Sequence, residues 1–368
     1  LLKNRLTNKV HLVNQLDVHT TLLNWYDGNA RSLSWRVAPM NSKMGVKADP
    51  YRVWLSEIML QQTAVKVVEP YFQKFVKKWP KIHDLHRAKE TEVLAAWSGL
   101  GYYSRARNLK ACAEIVCTKY QGNFPKDESL LLKLPGIGKY TSAAILSIAF
   151  GIPAVVVDGN VERIVARLFN LQDTLENLKP QIYEYVSSLS PKIRPGDFAQ
   201  AMMDLGATVC KPKNPLCTTC AIQNFCKAFD KGNSAIIPKK AKKKIRILRK
   251  GFVYIGITKT EKIAMVVRPS KGLLGGMTCP PSSEWETNNF PANIPPIAGS
   301  WTILNHTVKH TFTHFDLELK VVFSYISDVP ENYILKTLNH SLITSTPTVM
   351  RKAILAAINY EKSNVFWQ

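Results

Sequence analysis

The sequence predicts a chain of more than one domain, in which an all-α domain precedes an α+β domain. Its 368 residues are enough for two to three domains that each bury a core. Apolar residues recur at helical spacing over 1–228, whereas apolar and polar residues alternate, as in strands, through much of 251–368. A lysine-rich stretch within 229–250 separates the two patterns, and we expect it to be an exposed basic linker.

The charge of the chain limits its partners. A formal net charge of +22 favours a polyanion, above all nucleic acid, although a ribosomal or membrane-surface protein could carry it as well. No apolar run reaches the ~18 residues of a membrane span. The first residues show no signal-peptide core, so we expect an intracellular protein, in the cytoplasm or nucleoid if the source is bacterial. Seven cysteines in that setting favour a metal or cluster site over a disulfide framework.

The first two predicted helices differ in burial. Residues Asp17–Tyr26 form a short amphipathic pattern, whereas Tyr51–Thr63 is apolar nearly all round and should be buried. Glu57 is the exception in the second helix. Desolvation raises the pKa of a carboxyl group among apolar neighbours, which would make Glu57 a proton donor at neutral pH. A salt bridge to Arg52 or Lys66 is the structural alternative.

A helix, a tight glycine turn and a second helix are predicted around Leu134–Thr141. The pair Pro135-Gly136 ends the first helix, and Thr141–Phe150 is apolar and alanine-rich enough for the second. Gly136 and Gly138 let the backbone approach a ligand closely, and the following helix N-terminus adds partial positive charge. The turn therefore suits a phosphate group.

Asp158 lies at the start of a further predicted helix. Apolar residues follow it at helical spacing, namely Val161, Ile164, Val165 and Leu168. Capping of that helix by Asp158 or Asn160 is the structural alternative to a role in a site. In the same way, Asp197 and Gln200 have the spacing of a capping box, with Asp197 at the N-cap.

Four cysteines lie within seventeen residues, separated by six, two and five positions: Cys210, Cys217, Cys220 and Cys226. Lysines surround them. On spacing alone these thiols could bind structural zinc or a four-iron cluster.

The second domain is predicted from alternation. Strands are expected around 253–257, 263–267 and 317–325, and helices over 334–338 and 347–359. Three histidines recur every fourth residue nearby, at 306, 310 and 314. Their threonine, valine and phenylalanine neighbours favour strand or loop over a metal site.

Together these blocks resemble the helix-hairpin-helix DNA glycosylase superfamily and, within it, the adenine DNA glycosylase (MutY) family. The segments that carry the resemblance are Ser56–Thr63, Leu100–Arg107, Leu134–Thr141, Val157–Val161 and the cysteine loop. The resemblance implies an all-α helix-hairpin-helix glycosylase domain over 1–228 that includes an iron-sulfur loop over 210–226. It implies a Nudix-like domain over 251–368 that recognises 8-oxoguanine but lacks the glutamate-rich helix of true Nudix hydrolases.

The activity implied by this resemblance is monofunctional removal of adenine paired with 8-oxoguanine or guanine in double-stranded DNA. Its catalytic residues would be Glu57, Asp158, Tyr140 and Asn160. In the bifunctional endonuclease III relatives the lysine nucleophile matches position 140, so Tyr140 excludes Schiff-base chemistry. Lys139, one residue earlier, would contact the DNA backbone or be solvated.

The resemblance also implies contacts with DNA. The adenine pocket would include Trp35, Arg36 and Gln200, with Ser34 where the family has proline. The residues that fill the gap in the duplex would be Gln62, Leu100 and Tyr102. The backbone would be held by Gly136, Gly138 and Lys139. The damaged base would meet Phe312, Thr313 and His314, which match a Phe-Ser-His loop with Thr313 in place of serine. A [4Fe–4S] cluster would be bound by the four cysteines of the loop.

Two other functions are compatible with parts of the sequence. An endonuclease III-type lyase would need lysine at position 140 and would lack the second domain. A catalytically idle DNA-binding protein would keep the charge and the hairpin and would tolerate loss of Glu57. We expect a monomer, and the sequence leaves open whether a replication clamp is a partner.

Overall fold

The computed structural model describes residues 15–239, 245–269, 272–312 and 314–365. Chain contacts divide these residues into two units. The first runs to Val93 and resumes at Arg105, and the second contains Leu94–Ser104 and the described residues from 245 onward. Within the described ranges, none of the helices combines the length and the apolar character needed to cross a membrane.

Over residues 15–239 the chain is helical, as predicted. Its helices are α1 (Gln15–Asn29), α2 (Pro39–Lys43), α3 (Pro50–Leu60), α4 (Val65–Lys78), α5 (Ile82–Arg87), α6 (Glu90–Trp97), α7 (Ser104–Tyr120), α8 (Glu128–Leu131), α9 (Lys139–Ala144), α10 (Gly159–Leu168), α11 (Leu175–Leu189), α12 (Pro195–Thr208) and α13 (Lys227–Asp230). A π-helical turn, Ile145–Ala149, continues α9.

The predicted helix-hairpin-helix consists of α8, the turn after it, and α9. The carboxylate of Asp127 accepts a hydrogen bond from the backbone N–H of Leu130 and so caps α8. Gly136 has φ of +78°, a conformation that strains residues with a side chain. Gly138 is the N-cap of α9, and Lys139 is its first residue. The turn thus leaves the first N–H groups of α9 without helical partners, as an anion site requires.

Part of the expected linker folds against the first unit. Ile237 is 2% exposed, and its carbonyl accepts a hydrogen bond from Nε of Arg167 (2.9 Å). The backbone N–H of Lys239 donates to the carbonyl of Asp173 (3.0 Å). The expectation of an exposed segment is therefore wrong for Ile237, whose apolar side chain joins the core of the first unit, whereas Ile236 is 66% exposed and Lys239 is exposed as well. The lysine run 240–244 lies outside the described residues.

The second unit is the α+β domain that the alternation predicts. Its strands are β1 (Ile247–Ile257), β2 (Lys262–Val267), β3 (Thr278–Cys279), β4 (Glu286–Thr287), β5 (Thr302–Thr311), β6 (Phe315–Tyr325) and β7 (Ile334–Thr337), followed by α14 (His340–Ser345) and α15 (Thr348–Val365). The sheet order is β3-β2-β1-β6-β5; β4 pairs with β1 and β7 with β2. The central β1–β6 pair is parallel.

One predicted helix of this unit is a strand. Residues 334–337 pair antiparallel with β2, where Lys262 faces Thr337 and Met265 faces Ile334. Four residues cannot separate a strand period from a helix period, and pairing with a distant strand decides between them. The helix predicted over 347–359 is confirmed by α15. His306 and His310 lie in β5, as their neighbours indicated.

Candidate active site

A cavity of about 580 Å³ in the first unit brings many of the predicted site residues together. Those that line it are Trp35, Arg36, Glu57, Gln62, Tyr140, Asp158, Asn160 and Gln200. They come from the loop after α1, from α3 and the turn behind it, from α9, from the start of α10 and from α12. The glycines of the hairpin, Lys139, Leu100 and Tyr102 do not line it.

Glu57 is the buried acid of this cavity. It lies on α3, is 6% exposed, and its Oε2 accepts a hydrogen bond from the Tyr140 hydroxyl (2.8 Å). Burial raises the pKa of Glu57 to about 7, against the lowering effects of the Tyr140 hydrogen bond and of Arg36, while the negative charge of Asp158 adds to the rise. The predicted rise in pKa is present, and a large share of Glu57 carries a proton at neutral pH.

Tyr140 holds Glu57 without competing for its role. Burial, with the nearby charges of Glu57 and Asp158, raises the pKa of the Tyr140 phenol well above its usual range. The phenol therefore stays a neutral donor. Its oxygen also lies 3.4 Å from Sδ of Met203.

Asp158 caps α10, as the structural alternative expects, and it also lines the cavity. Its Oδ1 accepts hydrogen bonds from the backbone N–H groups of Asn160 (2.9 Å) and Val161 (2.8 Å). Its Oδ2 accepts a third from Nδ2 of Asn160 (2.8 Å). Three donors and a helix N-terminus stabilise a negative charge at this point of the cavity wall.

Asn160 is itself held by Arg163, a residue that sequence reasoning missed. Nη2 of Arg163 donates to Oδ1 of Asn160 (2.8 Å) and to the carbonyl of Gly206 (2.7 Å), and Nε donates to the carbonyl of Cys210 (2.8 Å). A Cβ atom on Gly206 would lie 2.5 Å from Cβ of Asn160, so only glycine fits there. The spacing of three between Asn160 and Arg163 on α10 is the signal that could have shown this pair.

Asp204 is the second missed residue. It is fully buried on α12, and both its oxygens accept from Nη1 of Arg36 (2.8 and 2.7 Å). Its Oδ1 also accepts from Nε of Arg31 (2.6 Å), and its Oδ2 from the Arg31 backbone N–H (2.9 Å). A buried carboxylate needs such partners, and here it fixes the guanidinium of Arg36 against the cavity.

Trp35 and Gln200 complete the wall. Trp35 is 7% exposed and meets the ring of Phe72 edge-on, with 5.3 Å between centroids. Gln200 is 5% exposed, and its Nε2 donates to the carbonyl of Gly196 (3.3 Å).

The capping box expected at Asp197 and Gln200 is wrong. Helix α12 begins at Pro195, two residues earlier, because proline favours the first helical position. Asp197 is then the third residue of the helix and pairs with Nε of Arg194 (2.7 Å).

Three residues expected to fill a gap in the duplex differ in exposure. Gln62 and Tyr102 are exposed and have positive φ, +55° and +47°, which is uncommon outside glycine. Leu100 is 6% exposed, so its side chain is not at the surface of the structure. Tyr103, next to Tyr102 in sequence, packs against the core of the second unit.

The four cysteines of the loop line a second, smaller cavity. No His, Asp or Glu lines it, and all seven cysteines of the chain are free thiols. Nη1 of Arg167 lies 3.2 Å from Sγ of Cys210. Over the described residues, no group of three or more His, Cys, Asp or Glu side chains is arranged to hold a metal ion.

The residues expected to meet the damaged base lie in the second unit. Phe312 is half-buried and His314 is exposed; Thr313 lies outside the described residues. The backbone N–H of Phe312 donates to the carbonyl of Phe315 (2.9 Å), which closes the connection from β5 to β6.

Comparisons with known proteins agree with this arrangement. Residues 55–191 match the HhH-GPD superfamily of base excision DNA repair proteins, and residues 253–356 match the NUDIX domain. The adenine DNA glycosylase of Buchnera aphidicola (Baizongia pistaciae) is 32% identical over 91% of this chain and 95% of its own length. The human adenine DNA glycosylase is 43% identical over 56% of this chain, which is 38% of the human protein.

A solved structure of a thermostable thymine-DNA glycosylase superposes with a TM-score of 0.52 and 29% identity. It covers 59% of this chain and 97% of that protein. The similarity over nearly the full length of the Buchnera protein, together with both domain matches, shows that the chain belongs to the adenine DNA glycosylase family of base excision repair enzymes.

Proposed function

We propose that this enzyme hydrolyses the N-glycosidic bond of adenine paired with 8-oxoguanine, or with guanine, in duplex DNA, and that it does so without strand cleavage. The observation that carries the proposal is the cavity itself, which is lined by Glu57, with its pKa raised to about 7 and its carboxyl hydrogen-bonded by the Tyr140 hydroxyl, and by Asp158 at the N-cap of α10. This hydrolysis needs two groups: an acid that protonates the departing base, and an anion that stabilises positive charge on the sugar.

The reaction begins when adenine leaves the base stack. Extrusion costs a few kcal/mol and is easiest at a mispair. A volume of about 580 Å³ is large enough to receive a purine. Trp35 gives this volume an apolar wall, while Arg36 and Gln200 supply polar groups at its edge, and these are suited to orient the base.

Glu57 then protonates adenine at N7. As the bond between C1′ and N9 breaks, its electron pair moves to the base, and positive charge develops on the sugar. Asp158 stabilises that charge, either directly or through a transient covalent bond to C1′. Water adds to C1′ and gives a proton to Glu57, so the acid is restored for the next turnover.

Tyr140 and Asn160 keep this pair in place. Tyr140 orients the Glu57 carboxyl, and Asn160 orients the Asp158 carboxylate, with Arg163 holding Asn160 in turn. Position 140 carries no amine, so we expect no Schiff base from this position, the intermediate through which lyases cleave the strand.

The test is single-turnover release of adenine from duplexes with adenine opposite 8-oxoguanine, guanine or thymine. We expect fast release opposite 8-oxoguanine, slower release opposite guanine and none opposite thymine. Borohydride added during the reaction should trap no covalent complex. Equal rates opposite 8-oxoguanine and guanine would refute the preference for the lesion, and a trapped complex would refute the monofunctional mechanism.

The hairpin is proposed to hold the DNA backbone through the N–H groups at the start of α9, with Lys139 beside them. Gly138 has φ of −103°, which alanine adopts, and an added Cβ would meet no atom within 4 Å. Gly138→Ala should therefore keep the stability of the native chain within about 1 kcal/mol. It should weaken DNA binding about tenfold, because the methyl group occupies the position of the phosphate.

A matched control for Gly138→Ala is Gly28→Ala. Gly28 lies in α1, and an added Cβ meets no atom within 4 Å there either. Both variants would be compared by thermal unfolding and by fluorescence anisotropy with an undamaged duplex. Native affinity in Gly138→Ala would show that the backbone of this turn does not approach the DNA.

The cysteine loop is proposed to hold a [4Fe–4S] cluster. The donor set fits a cluster, because four soft sulfur donors line one cavity. The other residues that line this cavity include no acidic side chain. When bound, the cluster would cross-link the loop. The carbonyl groups that Arg163 and Arg167 hold, at Cys210, Lys211 and Pro212, would then keep fixed positions beside α10.

Analysis of iron and acid-labile sulfide in purified protein tests the cluster. About four of each per chain are expected, and Cys217→Ser should lose both, whereas Cys112→Ser, at a buried cysteine away from the loop, should keep them. One zinc per chain without sulfide would refute the cluster.

Recognition of the damaged base is assigned to Phe312 and His314, with Thr313 between them in sequence. This proposal is supported by the match of the second unit to the NUDIX domain and by the partial exposure of Phe312 and His314 at the β5–β6 connection. The charge of +22 supports salt-sensitive attraction to the duplex.

A further inference from the structure

Trp285 lies against the residue to which lesion recognition is assigned. Its ring stacks on the ring of Phe312, with centroids 6.0 Å apart and planes 25° from parallel, and it touches Phe315 at 6.3 Å. His310 meets Phe312 edge-on at 4.6 Å, and the ring of Phe315 lies 4.9 Å from it. Phe312 is therefore packed in an aromatic cluster, to which Trp285 contributes from a separate segment of the second unit.

Trp285 is itself held in place by contacts with other segments of the second unit. The guanidinium of Arg268 lies 5.3 Å from its ring centroid, a cation–π arrangement. A Cβ atom on Gly251, in β1, would lie 2.8 Å from Cδ1 of Trp285. Glycine at position 251 has no side chain and so leaves the space that the indole occupies. Any other residue at position 251 would displace the indole.

The indole N–H is buried and has no hydrogen-bond partner among the residues that the structure describes. An unpaired buried donor costs free energy, so hydrogen bonding is not what holds Trp285 here. The neighbouring side chains contact the indole ring instead, since its flat faces lie against Arg268 and Phe312. This points to a role in placing Phe312 and not in capping a polar group.

We propose that Trp285 is a positioning residue for lesion specificity, which sets the place of Phe312 and thereby the preference for 8-oxoguanine over guanine. The inference rests on the proposed function. Loss of the indole removes one wall of the Phe312 site and leaves the cavity of the first unit intact. The rate opposite guanine, which needs no lesion contact, should therefore stay at its native value.

The experiment measures the ratio of single-turnover rates opposite 8-oxoguanine and guanine for the full chain. Trp285→Ala should lower this ratio about two- to twelvefold, which is the contribution expected of one aromatic pair. Trp285→Phe keeps a ring and removes the unpaired N–H, so it should retain most of the native ratio. The rate opposite guanine should be the same in all three proteins.

Trp301→Ala is the matched control. Trp301 is a half-buried tryptophan of the same unit, but it packs edge-on against Tyr254 at 5.7 Å, on the sheet face that does not carry Trp285. Thermal unfolding of both alanine variants measures the stability that each loses with the packing of its indole ring. The proposal requires that Trp301→Ala keep the native ratio at comparable loss of stability.

An unchanged ratio in Trp285→Ala would overturn the inference, and so would equal losses in Trp285→Ala and Trp301→Ala. A native chain without preference for 8-oxoguanine would instead overturn the proposed substrate, and with it this inference. A native preference that survives in Trp285→Ala overturns the inference alone.

Discussion

Glu57→Gln should slow adenine release by about 10²- to 10⁴-fold, which is the usual rate enhancement by a general acid. The amide has nearly the shape of the carboxyl group and can still accept a hydrogen bond from Tyr140, but it cannot give a proton to the departing base. Binding to the duplex should be unchanged, since Glu57 lies inside the cavity. Single-turnover rates and fluorescence anisotropy measure the two effects separately.

The pH profile identifies the acid further. Because burial raises the pKa of Glu57 to about 7, the native rate should be flat below that pH and fall about tenfold per unit above it. The residual rate of Glu57→Gln should lack this decline. The same carboxyl group makes the folding stability depend on pH. Because its pKa rises on folding, it stabilises the folded chain below pH 4.5, and this stabilisation is lost as the pH rises through about 7.

Glu162→Gln is the control for Glu57→Gln. Glu162 lies on α10, burial also raises its pKa, and the charge of Asp158 acts on it too, yet it does not line the cavity. We expect native rates and a native pH profile for this variant. A native rate in Glu57→Gln would show that Glu57 is structural and would leave the chemistry without its acid.

Asp158→Asn should slow adenine release by about 10²- to 10³-fold, the range seen when one preorganised electrostatic partner is removed. Asparagine caps a helix about as well as aspartate, so α10 should remain intact while the negative charge near the sugar is lost. The thermal unfolding midpoint should stay close to the native value. The defect would then be in chemistry and not in folding.

Asp127→Asn separates these effects, because Asp127 caps α8 in the same way but does not line the cavity. Its rate should be native. If Asp158→Asn loses stability and rate together, the cap and not the charge is what matters. Mass spectrometry of acid-quenched native reactions would show whether the sugar is bound covalently to Asp158.

Much of the site was predictable where chemistry depends on local pattern. A carboxylate within an apolar helix predicts burial and a raised pKa, and Glu57 has both. Glycine and proline mark the turn before α9, and alternation identifies the long strands of the second unit. In each case the signal lies within about ten neighbouring residues.

The features that were missed depend on residues far apart in sequence. Asp204 pairs with Arg36 across 168 residues and with Arg31 across 173, and neither spacing leaves a local pattern. The strand at 334–337 follows from pairing with β2, and Ile237 packs in the core of the first unit, where its carbonyl accepts a hydrogen bond from Arg167, 70 residues away. Tertiary contacts decide such positions, and propensity does not.

The Asp204 pairs have a consequence for biosynthesis. Arg31 and Arg36 leave the ribosome first, but their carboxylate partner is made 168 residues after Arg36, which is a delay of roughly 10 to 30 s at ordinary translation rates. During that time two arginines that later form the pocket wall have no buried counter-ion. Because α12 supplies Gln200 and Met203 to the cavity wall and Asp204 to the arginines, the cavity cannot be complete until α12 docks, after more than half of the 368 residues have been made.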